Sequence, residues 1–229
     1  MKPYHIDPDL ISLEEFRELT AGRKMLPGRV MLQEELEERF VILKASGMDH
    51  LGKLFRLLAS KSKIEGFSKL TGLSREYLIL LKREAGSYLA NPFPLSSFPG
   101  IPFEYTELLK SRGIKHTKDL FEGLQTKQQQ DQMAAETGIP AYRLKELFSL
   151  CDLSRITGVG GVFSRIIYEA GIRSVEEFAQ TEVSAQLSRY QAVIDKYKYP
   201  AGKLGTEDIR YVIHYAKVLV DCDKKSKAR

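Results

Sequence analysis

The residues of this chain whose types and spacing could do chemistry are five in a row, Thr157, Gly158, Val159, Gly160 and Gly161. Glycines so placed leave main-chain amides uncovered, and amides at the start of a helix can hold a phosphate without touching a base. Arg155, Arg165 and Arg173 lie close in sequence and would add positive charge. The chemistry expected is therefore binding, not bond-making. No nucleophile beside a base, no carboxylate pair in apolar surroundings and no P-loop is legible, so no enzyme, cofactor or metal is expected. His50 and His116 read as helix-start residues, because the matching slot downstream holds Ser174 followed by Glu177, a capping-box spacing. Cys151 and Cys222 have no paired spacing and read as small core residues.

The five residues need two helices to position them. Leu144, Leu147, Leu150 and Leu153 lie on one helical face before the glycines, and Phe163, Ile166 and Ile167 lie on one face after them. The pattern predicts helix, tight hairpin, helix. A second copy stands 58 residues upstream, pairing Gly100 with Gly158, Leu108-Leu109 with Ile166-Ile167, and Gly113 with Gly171. At an offset of 66, Leu43-Lys44 matches Leu109-Lys110, His50 matches His116, Leu54-Phe55 matches Leu120-Phe121, and Thr71-Gly72 matches Thr137-Gly138. These registers predict repeated helical units. The first copy lacks the hairpin, since Glu34 stands where Gly100 and Gly158 would be.

The rest of the chain reads as helix as well. Ser12 and Glu15 form a capping box for a helix ending near Gly22, and Pro27-Gly28 is a turn. Leu36, Phe40 and Leu43 carry the next helix toward Gly47, with Glu34, Glu35, Glu37 and Glu38 on its wet side. Asn91 to Pro99 is an extended connector held down by its phenylalanines, and the run from Gln125 is a solvated helix. Past Phe178 come a helix over about 183–198, a break at Pro200-Ala201-Gly202, and a last helix from Thr206 to Val220. The fold expected is all-α, made of tandem helix-hairpin-helix-like repeats with a C-terminal extension. Its parts are 1–90, 91–156, 157–223 and a basic tail, 224–229.

Gly158, an aliphatic residue, Gly160, the small Ser164 in the first turn and the ending Ala170-Gly171-Ile172 together resemble the helix-hairpin-helix family. That resemblance implies binding to a nucleic-acid backbone. From about Leu26 to Phe178, with the blocks LKREAGSYL, FPGIPFEY and DLSRITGVGG, the chain also resembles a bacterial family known as domain of unknown function 4332. That family carries no activity to transfer. The chain departs from many DNA-binding hairpins at Val162, where they carry a lysine or polar residue. In the upstream copy Pro102 replaces the second glycine, and Glu104 and Glu107 would repel phosphate.

Charge has to be located before it is used. The net charge is +5, but the final KKSKAR holds four of the 35 basic residues, leaving 31 against 30 acidic ones. Within the body, residues 44 to 83 carry nine Lys or Arg against three acids. The opening MKPYHIDPDL has no apolar signal-peptide core and no run is long enough to span a membrane, so a cytoplasmic place is expected. The leading expectation is non-catalytic, sequence-nonspecific binding of nucleic acid, DNA foremost, at the Gly158 hairpin. The alternative is a protein–protein scaffold whose hairpins are structural only.

Overall fold

Hydroxyl or histidine residues at helix starts and glycines just past helix ends punctuate this chain. The computed structural model describes all residues except Arg23, Ala201, Lys203 and Arg229, and the described residues are helical with no strand, the all-α class expected. They gather into two units, Ile6–Leu89 on one hand and Met1–His5 with Ala90–Arg229 on the other. The expected parts 91–156 and 157–223 thus share one unit, which also takes in the first five residues.

In the Ile6–Leu89 unit, α1 (Leu13–Ala21) opens on Ser12. The Ser12 Oγ accepts from Glu15 N at 3.1 Å and Glu15 Oε2 accepts from Ser12 N at 2.9 Å, so two otherwise orphaned amides are satisfied. Then follow α2 (Leu36–Ala45), α3 (Leu51–Leu57), α4 (Lys61–Thr71) and α5 (Arg75–Gly86). The chain reverses after α2 at Gly47 (φ +82°), a left-handed conformation that glycine takes without strain. Phe16, Phe40, Leu43, Leu54, Leu78 and Leu81 are buried together with Tyr77. Lys63 Nζ donates to the Arg56 carbonyl at 3.1 Å and Lys82 Nζ to that of Ala59 at 3.2 Å. Cations at the carbonyl end of α3 complement its dipole, so part of the 44–83 basic stretch has a structural use.

In the other unit come α6 (Phe103–Ser111), α7 (Thr117–Gly123), α8 (Lys127–Thr137) and α9 (Ala141–Leu153). After them stand α10 (Gly161–Glu169), α11 (Val175–Ala179), α12 (Val183–Tyr197) and α13 (Thr206–Ala228). Both ends of α7 and α8 lie 66 residues beyond those of α3 and α4, and both ends of α10 lie 58 beyond those of α6. His50, His116 and Ser174 are the N-cap residues of α3, α7 and α11, all in extended backbone. The solvated helix expected from Gln125 is α8, which buries no residue. The connector packs as expected, with Phe98 buried and its ring 5.4 Å from that of Phe93.

Two expectations need correction at the C-terminus. The last helix does not stop at Val220 but continues through Ala228, so the lysines of the expected basic tail stand on α13. Its apolar face, from Ile209 to Cys222, is buried and carries the helix onward. The break at Pro200-Ala201-Gly202 lies in part outside the described residues, at Ala201, as does Arg229 of the tail. Both cysteines are buried, the expected core role.

Candidate functional site

The hairpin closes on itself through one turn bond, Val159 N to the Ile156 carbonyl at 3.0 Å, and Gly158 makes the reversal at φ +89°. Val159 is buried beneath it, Thr157 and Gly161 are half-buried, and Gly158 and Gly160 face solvent. Gly160 is the N-cap of α10 in extended backbone, and no side chain among the described residues caps that start. The first amides of α10 therefore have no side-chain acceptor, as an anion site would require, although Gly161, Val162 and Phe163 that carry them are half-buried.

The two flanks of the hairpin are closed. A Cβ on Gly161 would lie 2.3 Å from the Ser97 carbonyl oxygen, and one on Gly158 would lie 3.2 Å from Val212 Cγ1 of α13. Gly160 has nothing within 4 Å of its would-be Cβ. Its φ of −84° suits any residue. Gly160→Ala should accordingly change stability by less than about 1 kcal/mol, a small gain in chain stiffness set against a poorer cap. Thermal unfolding of the variant checks this, and a larger loss would show that the outer face of the hairpin is covered.

The expected arginines do not gather at the hairpin. Arg155 points inward with a fully buried side chain, its Nη1 donating to Asp152 Oδ1 at 2.9 Å and its Nη2 to Asp223 Oδ1 at 2.7 Å. Its Nε donates to the Tyr4 carbonyl at 3.2 Å, and its guanidinium lies 4.5 Å from the centre of the Phe121 ring. Arg165 is buried too, donating to the Pro99 carbonyl at 2.8 Å and paired with Glu146 and Glu169. Neither can reach a phosphate without abandoning its carboxylates inside the protein. Both are therefore corrected from site residues to internal ion pairs.

Arg173 alone of the three faces outward, lying 3.7 Å over the Tyr168 ring and donating to the Tyr168 carbonyl. The basic stretch 44–83 belongs to the other unit, where Lys53, Arg56 and Arg75 pair with Asp49, Asp9 and Glu65.

Two of the acids that claim these arginines, Asp152 and Glu146, are themselves shifted. Burial pushes the Asp152 carboxyl above the usual carboxylate range, against the pull of Arg155 and of the Val175 amide that it accepts at 2.9 Å. Burial also acts upward on Glu146, but hydrogen bonds and charge from Arg165 and Arg143 outweigh it and hold that carboxyl below its ordinary value. Three of these partners had a sequence signal: Asp152, Glu169 and Glu146 stand three or four residues from Arg155, Arg165 and Arg143. Asp223, 68 residues from Arg155, had none.

Sequence reading also missed what the upstream hairpin presents. Phe103, the first residue of α6, is 67% exposed, with Glu104, Glu107 and Leu108 exposed on the same helix. The signal available was Phe103 at the register position of Gly161, an aromatic where the other copy has no side chain.

Residues 99–199 match a family described as Domain of unknown function (DUF4332), which bears out the resemblance over 99–178 of the 26–178 for which it was expected. No curated protein and no solved structure matches the chain. Among the described residues no group of His, Cys, Asp or Glu could hold a metal ion, and no helix is long and apolar enough to cross a membrane.

Proposed function

We propose that this chain is a non-catalytic protein–protein interaction scaffold, in which α9 and α10 form a helix-hairpin-helix kept for packing within a tandem helical array. The observation that carries this reading is Phe103, a large aromatic held 67% exposed at the start of α6 beside Glu104 and Glu107. An exposed aromatic suits the core of a protein interface, and the adjacent Glu104 disfavours a phosphate backbone, while Glu107 is paired with Lys110. The inward Arg155 and Arg165 support the same reading, because they leave the downstream hairpin short of charge. A photo-crosslinking residue at position 103 should give discrete protein adducts in a lysate of the source cells, while the same residue at exposed position 127 on α8 should not. Equal labelling at the two positions would sink the proposal.

One observation favours a second reading, nucleic-acid backbone binding: Gly158 and Gly160 stay exposed at an uncapped helix start. Fluorescence anisotropy with labelled duplex and single-stranded DNA and RNA separates the two. The scaffold reading expects no saturable binding by the full chain at low salt. Saturable binding that weakens linearly in log salt, and is lost in Gly160→Glu without a change in melting temperature, would instead install the second reading.

A further inference from the structure

Two exposed apolar residues stand where the internal register holds a glutamate. Phe103 on α6 lies 66 positions beyond Glu37 on α2, and Leu70 on α4 lies 66 positions before Glu136 on α8. The helices correspond residue for residue. Both ends of α8 lie 66 beyond those of α4, and α2 and α6 close alike, with Met48 N donating to the Leu43 carbonyl at 3.1 Å and Ile114 N to that of Leu109 at 3.0 Å. Each glutamate is held within its own unit, Glu37 by Arg17 and Glu136 by Arg112. Leu70 and Phe103 instead stand 77% and 67% exposed.

The surroundings of the two are complementary. On α6 the exposed stripe is Phe103, Glu104, Glu107 and Leu108, and on α4 it is Ser62, Gly66, Lys69 and Leu70. Glu107 is paired with Lys110, and Glu65 beside the α4 stripe is paired with Arg75 at 2.9 Å. Glu104 and Lys69 have no ion pair among the described residues, so one bare acid adjoins Phe103 and one bare cation adjoins Leu70. Gly66 lies one turn before Leu70 with no atom within 4 Å of its would-be Cβ. It leaves a hollow for a ring in a helix where alanine would be the better choice on propensity alone. On α8 the same two places hold Gln132 and Glu136, hydrogen-bonded to each other at 2.8 Å.

What covers the α6 stripe has to be a helix. At the matching place on α10, Gly161 admits the Ser97 main chain, whose carbonyl oxygen would lie 2.3 Å from a Cβ there. Phe103 holds a main chain off, and side chains spaced at three and four are met by another helix at about 8–10 Å between axes. We propose that α6 of one copy of this chain packs on α4 of a second copy, with Phe103 over Gly66 against Leu70 and Glu104 facing Lys69. This pairing rests on the reading of Phe103 as an interface residue and gives it a partner. The two stripes differ, so the contact is head to tail and each added copy leaves one stripe free for the next.

The purified full chain should therefore gain mass with concentration in sedimentation equilibrium. Phe103→Glu and Leu70→Glu, both at exposed positions, should keep the helical signal and self-associate about tenfold more weakly or less still. An equimolar mixture of the two should form a one-to-one pair and nothing larger, because the first keeps a working α4 and the second a working α6. Glu104→Lys should weaken association, and Lys69→Glu added to the same chain should restore it. A parent chain that stays monomeric at every concentration overturns the proposal, as does a Leu70→Glu chain that associates like the parent. Discrete adducts of another protein from position 103 in a lysate would then keep the α6 interface standing, whereas no adducts there would remove that reading too.

Discussion

Arg155→Ala should lower the unfolding free energy by about 3–5 kcal/mol, because it strands Asp152 and Asp223 as buried charges without their partner. Denaturant unfolding would read the loss directly. It should also depend on pH in a definite sense. The Asp152 carboxyl already titrates above the ordinary carboxylate value in the parent chain, through burial. A carboxyl raised in the folded state contributes stability fully below its unfolded pKa, and that contribution is lost as pH rises through the folded value. Without Arg155 the folded value climbs further, so the deficit should be larger at pH 8 than at pH 5. Equal deficits at the two pH values would mean that Asp152 is not held as a buried ionised group.

Gly161→Ala is the second large effect, about 1–3 kcal/mol of destabilisation. Its new methyl would meet the Ser97 carbonyl oxygen at 2.3 Å and the Ser97 carbonyl carbon at 2.8 Å, main-chain atoms that cannot swing aside as a side chain would. The start of α10 and the connector at Leu95–Ser97 must part for it to fit. Neighbouring Gly160, with open space around it, should show almost nothing, so the pair of variants measures how closely the connector approaches. A loss at Gly161 no greater than at Gly160 would show the connector to be loosely held.

What was legible in the sequence was local. The Ser12–Glu15 box, the reversal at Gly47 and the helix starts at His50, His116 and Ser174 each depend on a few adjacent residues, and each stands where it was read. The reversal at Gly158 was legible for the same reason, since that residue takes a positive φ and glycine is what permits it. What its arginines do was not. Whether Arg155 faces solvent or core is decided by Asp223 on α13 and by the Tyr4 carbonyl, and no spacing rule joins positions 4, 155 and 223. The same distance hid Tyr4. MKPYHIDPDL has no helical period to assign it a face, yet its tyrosine lies in the core with Phe121 and Leu150. The end of α13 was misjudged because KKSKAR was read by its charge, whereas the apolar face already running from Ile209 to Cys222 is what propagates the helix.

The discontinuity of the larger unit also sets an order of assembly. A chain is synthesised from its first residue, and domains tend to fold as units as they emerge, at roughly 5–20 residues per second. Ile6–Leu89 is then complete while α6 to α13 are still unmade. Tyr4 leaves the ribosome well before the groups that receive it, for the Thr117 and Ser154 hydroxyls and the Arg155 guanidinium come more than a hundred positions later. A segment made before Ile6–Leu89 thus finds its place only after it, and until then it is a free handle on a half-finished protein.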